Sequence, residues 1–124
     1  MTRRYCLALD LHDDRALIDE YEAHHRRVWP EILESIASSG ILSMDIYRLQ
    51  NRLMMIMEVD DSFSFERKAA ADIANPQVQA WEALMWRYQQ AIPGGPAGAK
   101  WRLMDRIFAF PDQTAALSRL PSAR

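Results

Sequence analysis

Ile41-Leu42-Ser43-Met44-Asp45-Ile46-Tyr47-Arg48-Leu49-Gln50-Asn51-Arg52-Leu53-Met54-Met55-Ile56-Met57-Glu58-Val59 contains two runs with the period-two patterning of strands, Ile41 to Leu49 and Arg52 to Val59. Gln50-Asn51 joins them, and Asn tolerates the left-handed backbone that a tight hairpin demands, so the two runs are expected to pair antiparallel. In the second run Leu53, Met55 and Met57 share one side while Met54 and Ile56 share the other. Both faces of that strand are therefore apolar.

On the N-terminal side, Tyr5, Leu7, Leu9 and Leu11 alternate with Cys6, Ala8 and Asp10, which predicts a first strand. Asp13 or Asp14 can cap a helix starting at Arg15, along which Leu17, Ile18, Tyr21, His25 and Val28 recur at helical spacing. Pro30 disfavours helical geometry at Trp29, so the helix is expected to break there, restart with Glu31 and end at Gly40. On the C-terminal side, Ser62 or Ser64 can open a short helix through Ala71. Asn75-Pro76 then reads as an N-cap followed by proline at the first helical position of a helix running to about Ala91. Pro93 to Gly98 is a loop, and Trp101 to Phe110 alternates again as a last strand.

The order strand, helix, strand, strand, helix, strand predicts an α+β domain with a ferredoxin-like antiparallel sheet and helices on one face. It is expected to fill residues 1–111 and to leave 112–124 as a C-terminal tail. Helices cover one sheet face only. The second apolar face predicts a face-to-face homodimer, that is, a dimeric α/β barrel.

With 124 residues, 49% hydrophobic and 26% charged, the chain suits one globular core. A net charge of -2 argues against nucleic acid as a partner. No apolar run approaches a membrane span, Asp10, Asp13 and Asp14 interrupt any signal-peptide core, and the single Cys6 permits no internal disulfide. The cytoplasm is the expected location.

For chemistry, His24 and His25 are adjacent and diverge by about 100° on a helix, so they cannot share an ion as an i, i+4 pair does, and no metal is expected. No nucleophile elbow and no glycine-rich phosphate loop are present. What remains is Tyr21-Glu22-Ala23-His24-His25-Arg26-Arg27-Val28-Trp29-Pro30. Tyr21 and His25 stack on one helix face with Trp29 near the next turn, and His24 is expected to point away from them. Val78, Trp81, Met85 and Tyr88 form a facing stripe. Aromatic planes beside a phenol and an imidazole suit a small polar ligand with an apolar methyl group. The same stripe at the same spacing is also what ordinary helix packing produces. Residue chemistry alone leaves three functions open: an enzyme using His25, a non-catalytic dimeric ligand-binding module, or another cofactor-free enzyme on this scaffold.

The spacing Tyr21-x3-His25-x3-Trp29-Pro30-Glu31, followed by Gly40, Ile46-Tyr47, Asn51-Arg52-Leu53, Met57-Glu58, Trp81-x3-Met85 and Pro93, resembles the L-rhamnose mutarotase family across residues 4 to 111. The resemblance implies cofactor-free interconversion of the α and β anomers of a 6-deoxy-L-hexose, L-fucose or L-rhamnose, by a homodimer. It implies that His25 is the catalytic acid/base, that Tyr21 binds sugar and that Trp81 is an aromatic wall. It also aligns Met44 and Glu82 with positions that are aromatic in the rhamnose enzymes, so these two are expected to reshape substrate binding, with Trp29 at the pocket rim.

Overall fold

A computed structural model describes residues 2–110. Strand β1 (Arg3–Leu11) leads into helix α1 (Arg15–His25), helix α2 (Pro30–Ser38), strands β2 (Ile41–Leu49) and β3 (Arg52–Val59), helices α3 (Phe65–Ala74) and α4 (Pro76–Trp86), and two short strands, β4 (Gln89–Gln90) and β5 (Arg102–Leu103). The result is a mixed α+β fold with one antiparallel sheet and four helices among the described residues. The expected tail lies outside them.

Local chemistry sets most helix ends. The Asp14 carboxylate accepts from the Leu17 N–H, the Ser64 hydroxyl from Arg67 N–H, and the Asn75 side chain from Gln77 and Val78 N–H. Pro30 and Pro76 occupy first-turn positions, where a missing N–H breaks no helical bond. Gly40 follows α2 with φ 91, and a Cβ there would come within 2.5 Å of the Ser62 hydroxyl. The break between α1 and α2 falls earlier than expected, since Arg26 already caps α1 and Val28 lies outside both helices.

The sheet order is β2-β3-β1-β4, and β5 also pairs with β1. β1 meets β3 along its whole length, from Arg3 opposite Val59 to Asp10 opposite Arg52. On its other edge Asp10 and Leu11 face Gln90 and Gln89, while Leu7 and Ala8 face Leu103 and Arg102. That shared edge overturns two expectations. α4 stops at Trp86 rather than near Ala91, because the backbone of Gln89 and Gln90 is taken up by β1. The last strand is two residues long rather than running from Trp101 to Phe110: Met104 N–H still reaches the Cys6 oxygen, and beyond it the chain leaves the sheet. At the β2–β3 turn, Gln50 takes the left-handed backbone (φ 54), not Asn51. Asn51 instead donates its side-chain N–H to the Leu11 oxygen at 3.0 Å and accepts the Leu11 N–H at 2.7 Å, fastening the hairpin tip to the end of β1.

Leu7, Leu9 and Leu11 on β1 and Leu53, Met55, Met57 and Val59 on β3 face the helices and are buried. Burying a side chain such as Leu9 or Val59, each at 0% exposure, contributes about 1.5–3 kcal/mol. The ion pairs of the opposite face, Arg52 with Asp10 and Arg4 with Glu58, contribute about 0–1 kcal/mol each. Apolar packing therefore fixes the sheet against the helices. Two core clusters result: one around Leu11, Ile18, Tyr21, Ile32, Leu53, Val78, Trp81, Met85 and Tyr88, the other around Leu7, Ile41, Met55, Met57, Val59 and Phe63. Ile36, Ile46 and Trp101 pack against both. The opposite face carries Met54 and Tyr47, exposed, with Ile56, Ala8 and Cys6 half-buried, so Cys6 is less enclosed than its apolar run suggests.

Candidate active site

The C-terminal turn of α1, the entry to α2 and the middle of α4 bring Tyr21, His25, Trp29 and Trp81 together. The Tyr21 and His25 rings are 4.3 Å apart between centroids, as their four-residue spacing requires. The Trp81 indole stands edge-on to His25 at 5.7 Å and to Trp29 at 5.1 Å. Tyr21 and Trp81 are buried, while His25 and Trp29 are half-buried.

The electronic state of His25 follows from one contact. Its Nδ1 lies 2.8 Å from the Tyr21 backbone oxygen. A carbonyl oxygen only accepts, so Nδ1 carries the hydrogen and Nε2 keeps its lone pair. Burial pushes the imidazole pKa below 6.5; the bond to the Tyr21 carbonyl opposes this and neighbouring His24 adds to it. His25 is thus a neutral base at neutral pH. The Tyr21 phenol is pushed up to about 12, first by burial and further by the Glu82 charge, against a hydrogen bond from Gln89. It stays protonated and remains a donor. A neutral base and a neutral acid on one helix face can accept and supply protons at a bound hydroxylic ligand.

Glu82 acts on Tyr21 through its charge while its carboxylate is held by Lys100 Nζ at 2.7 Å, which also reaches the Glu82 backbone oxygen. That tether links α4 to the loop after Pro93. Met44 faces the helices from β2 opposite Met57, is half-buried and packs against the second core cluster. His24 departs from expectation. Instead of pointing away, its ring stands 6.5 Å from Trp81, and its Nε2 is 3.2 Å from the Tyr88 hydroxyl, which in turn donates to Glu20 Oε1. Because Tyr88 gives its proton to the carboxylate, His24 Nε2 is the donor to Tyr88. The intended 100° separation holds for Cβ directions, but an imidazole reaches around the helix to a neighbour.

Gln89 was not foreseen. Placed on β4, it is 5% exposed, and its Nε2 donates to the Tyr21 hydroxyl at 3.4 Å. Its Oε1 is buried without a partner, an arrangement that costs about 1–3 kcal/mol. The only hint in the sequence is a glutamine directly after the aromatic stripe. Among the described residues no group of three or more His, Cys, Asp or Glu side chains lies close enough to hold a metal ion.

Fold and site together define a small α+β protein with an imidazole–phenol pair walled by tryptophan. The chain belongs to the L-rhamnose mutarotase family, which it matches over residues 4–110. Family members are carbohydrate isomerases. It is 50% identical over 110 residues to an L-fucose mutarotase of Xanthomonas campestris, covering 87% of this chain and 88% of that one. It is 34% identical over 113 residues to a UPF0734 protein of Dictyostelium discoideum, covering 86% and 88%. Among solved structures, an L-rhamnose mutarotase of Formosa agariphila superposes with a TM-score of 0.63 at 19% identity, over 86% of this chain and 97% of that one. Tetracenomycin F2 cyclase of Streptomyces glaucescens superposes with a TM-score of 0.56 at 15% identity, over 88% and 99%. These two likenesses are of fold.

Proposed function

We propose that this protein is an aldose mutarotase that interconverts the α and β anomers of a 6-deoxy-L-hexose, with L-fucose preferred over L-rhamnose. The observation that carries the reading is the His25 imidazole, its Nδ1 bound to the Tyr21 carbonyl and its Nε2 lone pair free, in a chain of the mutarotase family. His25 Nε2 takes the proton of the C1 hydroxyl as the bond from C1 to the ring oxygen breaks, and the imidazolium returns a proton to that oxygen. Rotation about C1–C2 and reclosure by the reverse transfers give the other anomer. Nothing is oxidised or reduced. Tyr21 orients the sugar as a hydrogen-bond donor, Trp81 and Trp29 flank its apolar edge, and Glu82 sets the local charge. Met44, on the helix-facing side of β2, is a further substrate-binding residue in this reading. The preference for L-fucose is supported by the name of the 50% identical relative and by the two departures from the aromatic pattern at Met44 and Glu82.

The working unit in this proposal is a face-to-face homodimer, a dimeric α/β barrel, in the cytoplasm. Tyr47 at 56% exposure and Met54 at 36% lie on the sheet face opposite the helices. After β5, Met104, Ile107, Phe108 and Phe110 are exposed as well. Apolar surface of this extent on both elements favours burial against a second copy. Among the described residues no helix is long and apolar enough to cross a membrane.

Saturation-transfer NMR between the two anomeric protons tests the activity directly. The expected result is protein-dependent exchange of L-fucose, slower exchange of L-rhamnose and none above buffer for aldoses lacking the 6-methyl group. Exchange of neither 6-deoxy sugar above the buffer rate rejects the proposal.

A further inference from the structure

We infer that Gln89 is a specificity-determining residue of this site, one atom of its carboxamide holding the Tyr21 hydroxyl and the other binding a hydroxyl group of the sugar. The inference rests on the mutarotase reading and assigns a second hydrogen-bonding partner within it. Three observations carry it. Gln89 is 5% exposed, its amide nitrogen is 3.4 Å from the Tyr21 hydroxyl, and its amide oxygen has no partner. Glutamine is rarely retained at such burial with half its amide unused, since buried polar groups are nearly always paired. Turning the amide over exchanges its two atoms but still leaves one without a partner. Because Gln89 donates to the Tyr21 oxygen, the phenol keeps its own proton available. A phenol donor beside a carbonyl acceptor matches a sugar hydroxyl, which accepts one hydrogen bond and donates another. His25, packed on Tyr21, and Trp29, packed on Trp81, are half-buried, and in this proposal they move aside to admit the sugar hydroxyl to the enclosed oxygen.

Gln89→Met keeps the length of the side chain and removes both amide atoms. It is expected to fold with an unchanged or higher melting temperature and to raise the KM for L-fucose about tenfold or more, because a site built to hydrogen-bond a hydroxyl loses that group's recognition. Monodeoxy analogues of the sugar locate the hydroxyl. One analogue should bind the wild type more weakly by the factor seen for Gln89→Met, and bind Gln89→Met with no further loss. Gln89→Glu keeps the acceptor oxygen and should restore discrimination against that analogue. If Gln89→Met binds the sugar and every analogue as the wild type does, or if all analogues lose equally in both proteins, the amide is satisfied by an internal water and the inference is wrong. Calorimetric titration with the sugars runs beside the exchange assay. Binding without exchange by the wild type sinks the mutarotase reading alone, wild-type affinity in Gln89→Met sinks the role of Gln89 alone, and absence of binding by the wild type sinks both.

Discussion

The Nδ1 of His25 is fixed 2.8 Å from the backbone oxygen of Tyr21, so the helix that positions the imidazole also selects its tautomer. His25→Asn preserves an N–H for that oxygen and removes the titrating base. Exchange is expected to fall by about 10²-fold or more, while the melting temperature stays near that of the wild type. A folded variant with the wild-type exchange rate would show that the base is another group.

The acid limb of the exchange rate should follow the same imidazole. Burial lowers its pKa below 6.5, so activity is kept to below that pH and then falls as His25 takes up a proton. Stability has the same sign: below 6.5 the unfolded chain binds more protons at this residue than the folded one, so its contribution is full above 6.5 and is lost as pH falls through the folded-state value. A rate profile with its acid midpoint above 6.5 contradicts this placement.

Tyr21→Phe removes one oriented hydroxyl and keeps the ring, so exchange should fall less than in His25→Asn. The phenol titrates at 10.0 unfolded and about 12 folded, which makes wild-type stability decline as pH rises between those values. The Phe variant should lose that part of the alkaline slope. Denaturant melts across the alkaline range read it, and an identical slope in both proteins counts against the burial of the phenol.

His24→Asn is expected to affect stability rather than exchange. The Tyr88 hydroxyl keeps Glu20 as acceptor but loses its donor, a change of about 0.5–1.5 kcal/mol visible as a lower melting temperature. Exchange reduced as far as in His25→Asn would transfer the base to His24.

For assembly, the informative pair is Met54→Asp and Met55→Asp, adjacent residues on opposite sheet faces. Met54 is 36% exposed and Met55 is 8% exposed in the helix-facing core. Met54→Asp should give a folded monomer by light scattering, and Met55→Asp should unfold. A wild-type monomer of 14.4 kDa at micromolar concentration would exclude the dimer.

The sequence is most readable where a residue acts on its near neighbours. Asp14, Ser64 and Asn75-Pro76 mark helix starts because capping is settled within three residues, and Tyr21 pairs with His25 because i and i+4 side chains must meet. Gln89-Gln90 looks helical locally because its backbone partners, Asp10 and Leu11, lie about 80 positions upstream, and their pairing overrides the helical pattern that precedes it. The terminal alternation from Trp101 to Phe110 failed for a related reason: periodicity reports which residues seek an apolar surface but does not supply one. In the site, the links His24 to Tyr88 and Gln89 to Tyr21 span 64 and 68 positions, beyond any local rule.

β1 has the remaining consequence. Its three pairing partners are residues 52–59, 89–90 and 102–103, all well downstream. During synthesis β1 therefore has no neighbour until the hairpin is made, and its second edge stays open until residues 89–103 have followed. Closing such long loops slows folding, and an apolar strand waiting with free edges is exposed to other chains. Conversely, a break in the loop between Pro93 and Gly98 removes only the covalent link to β5, which then stays on the sheet through its pairing with Leu7 and Ala8, the packing of Trp101 and the Lys100–Glu82 ion pair.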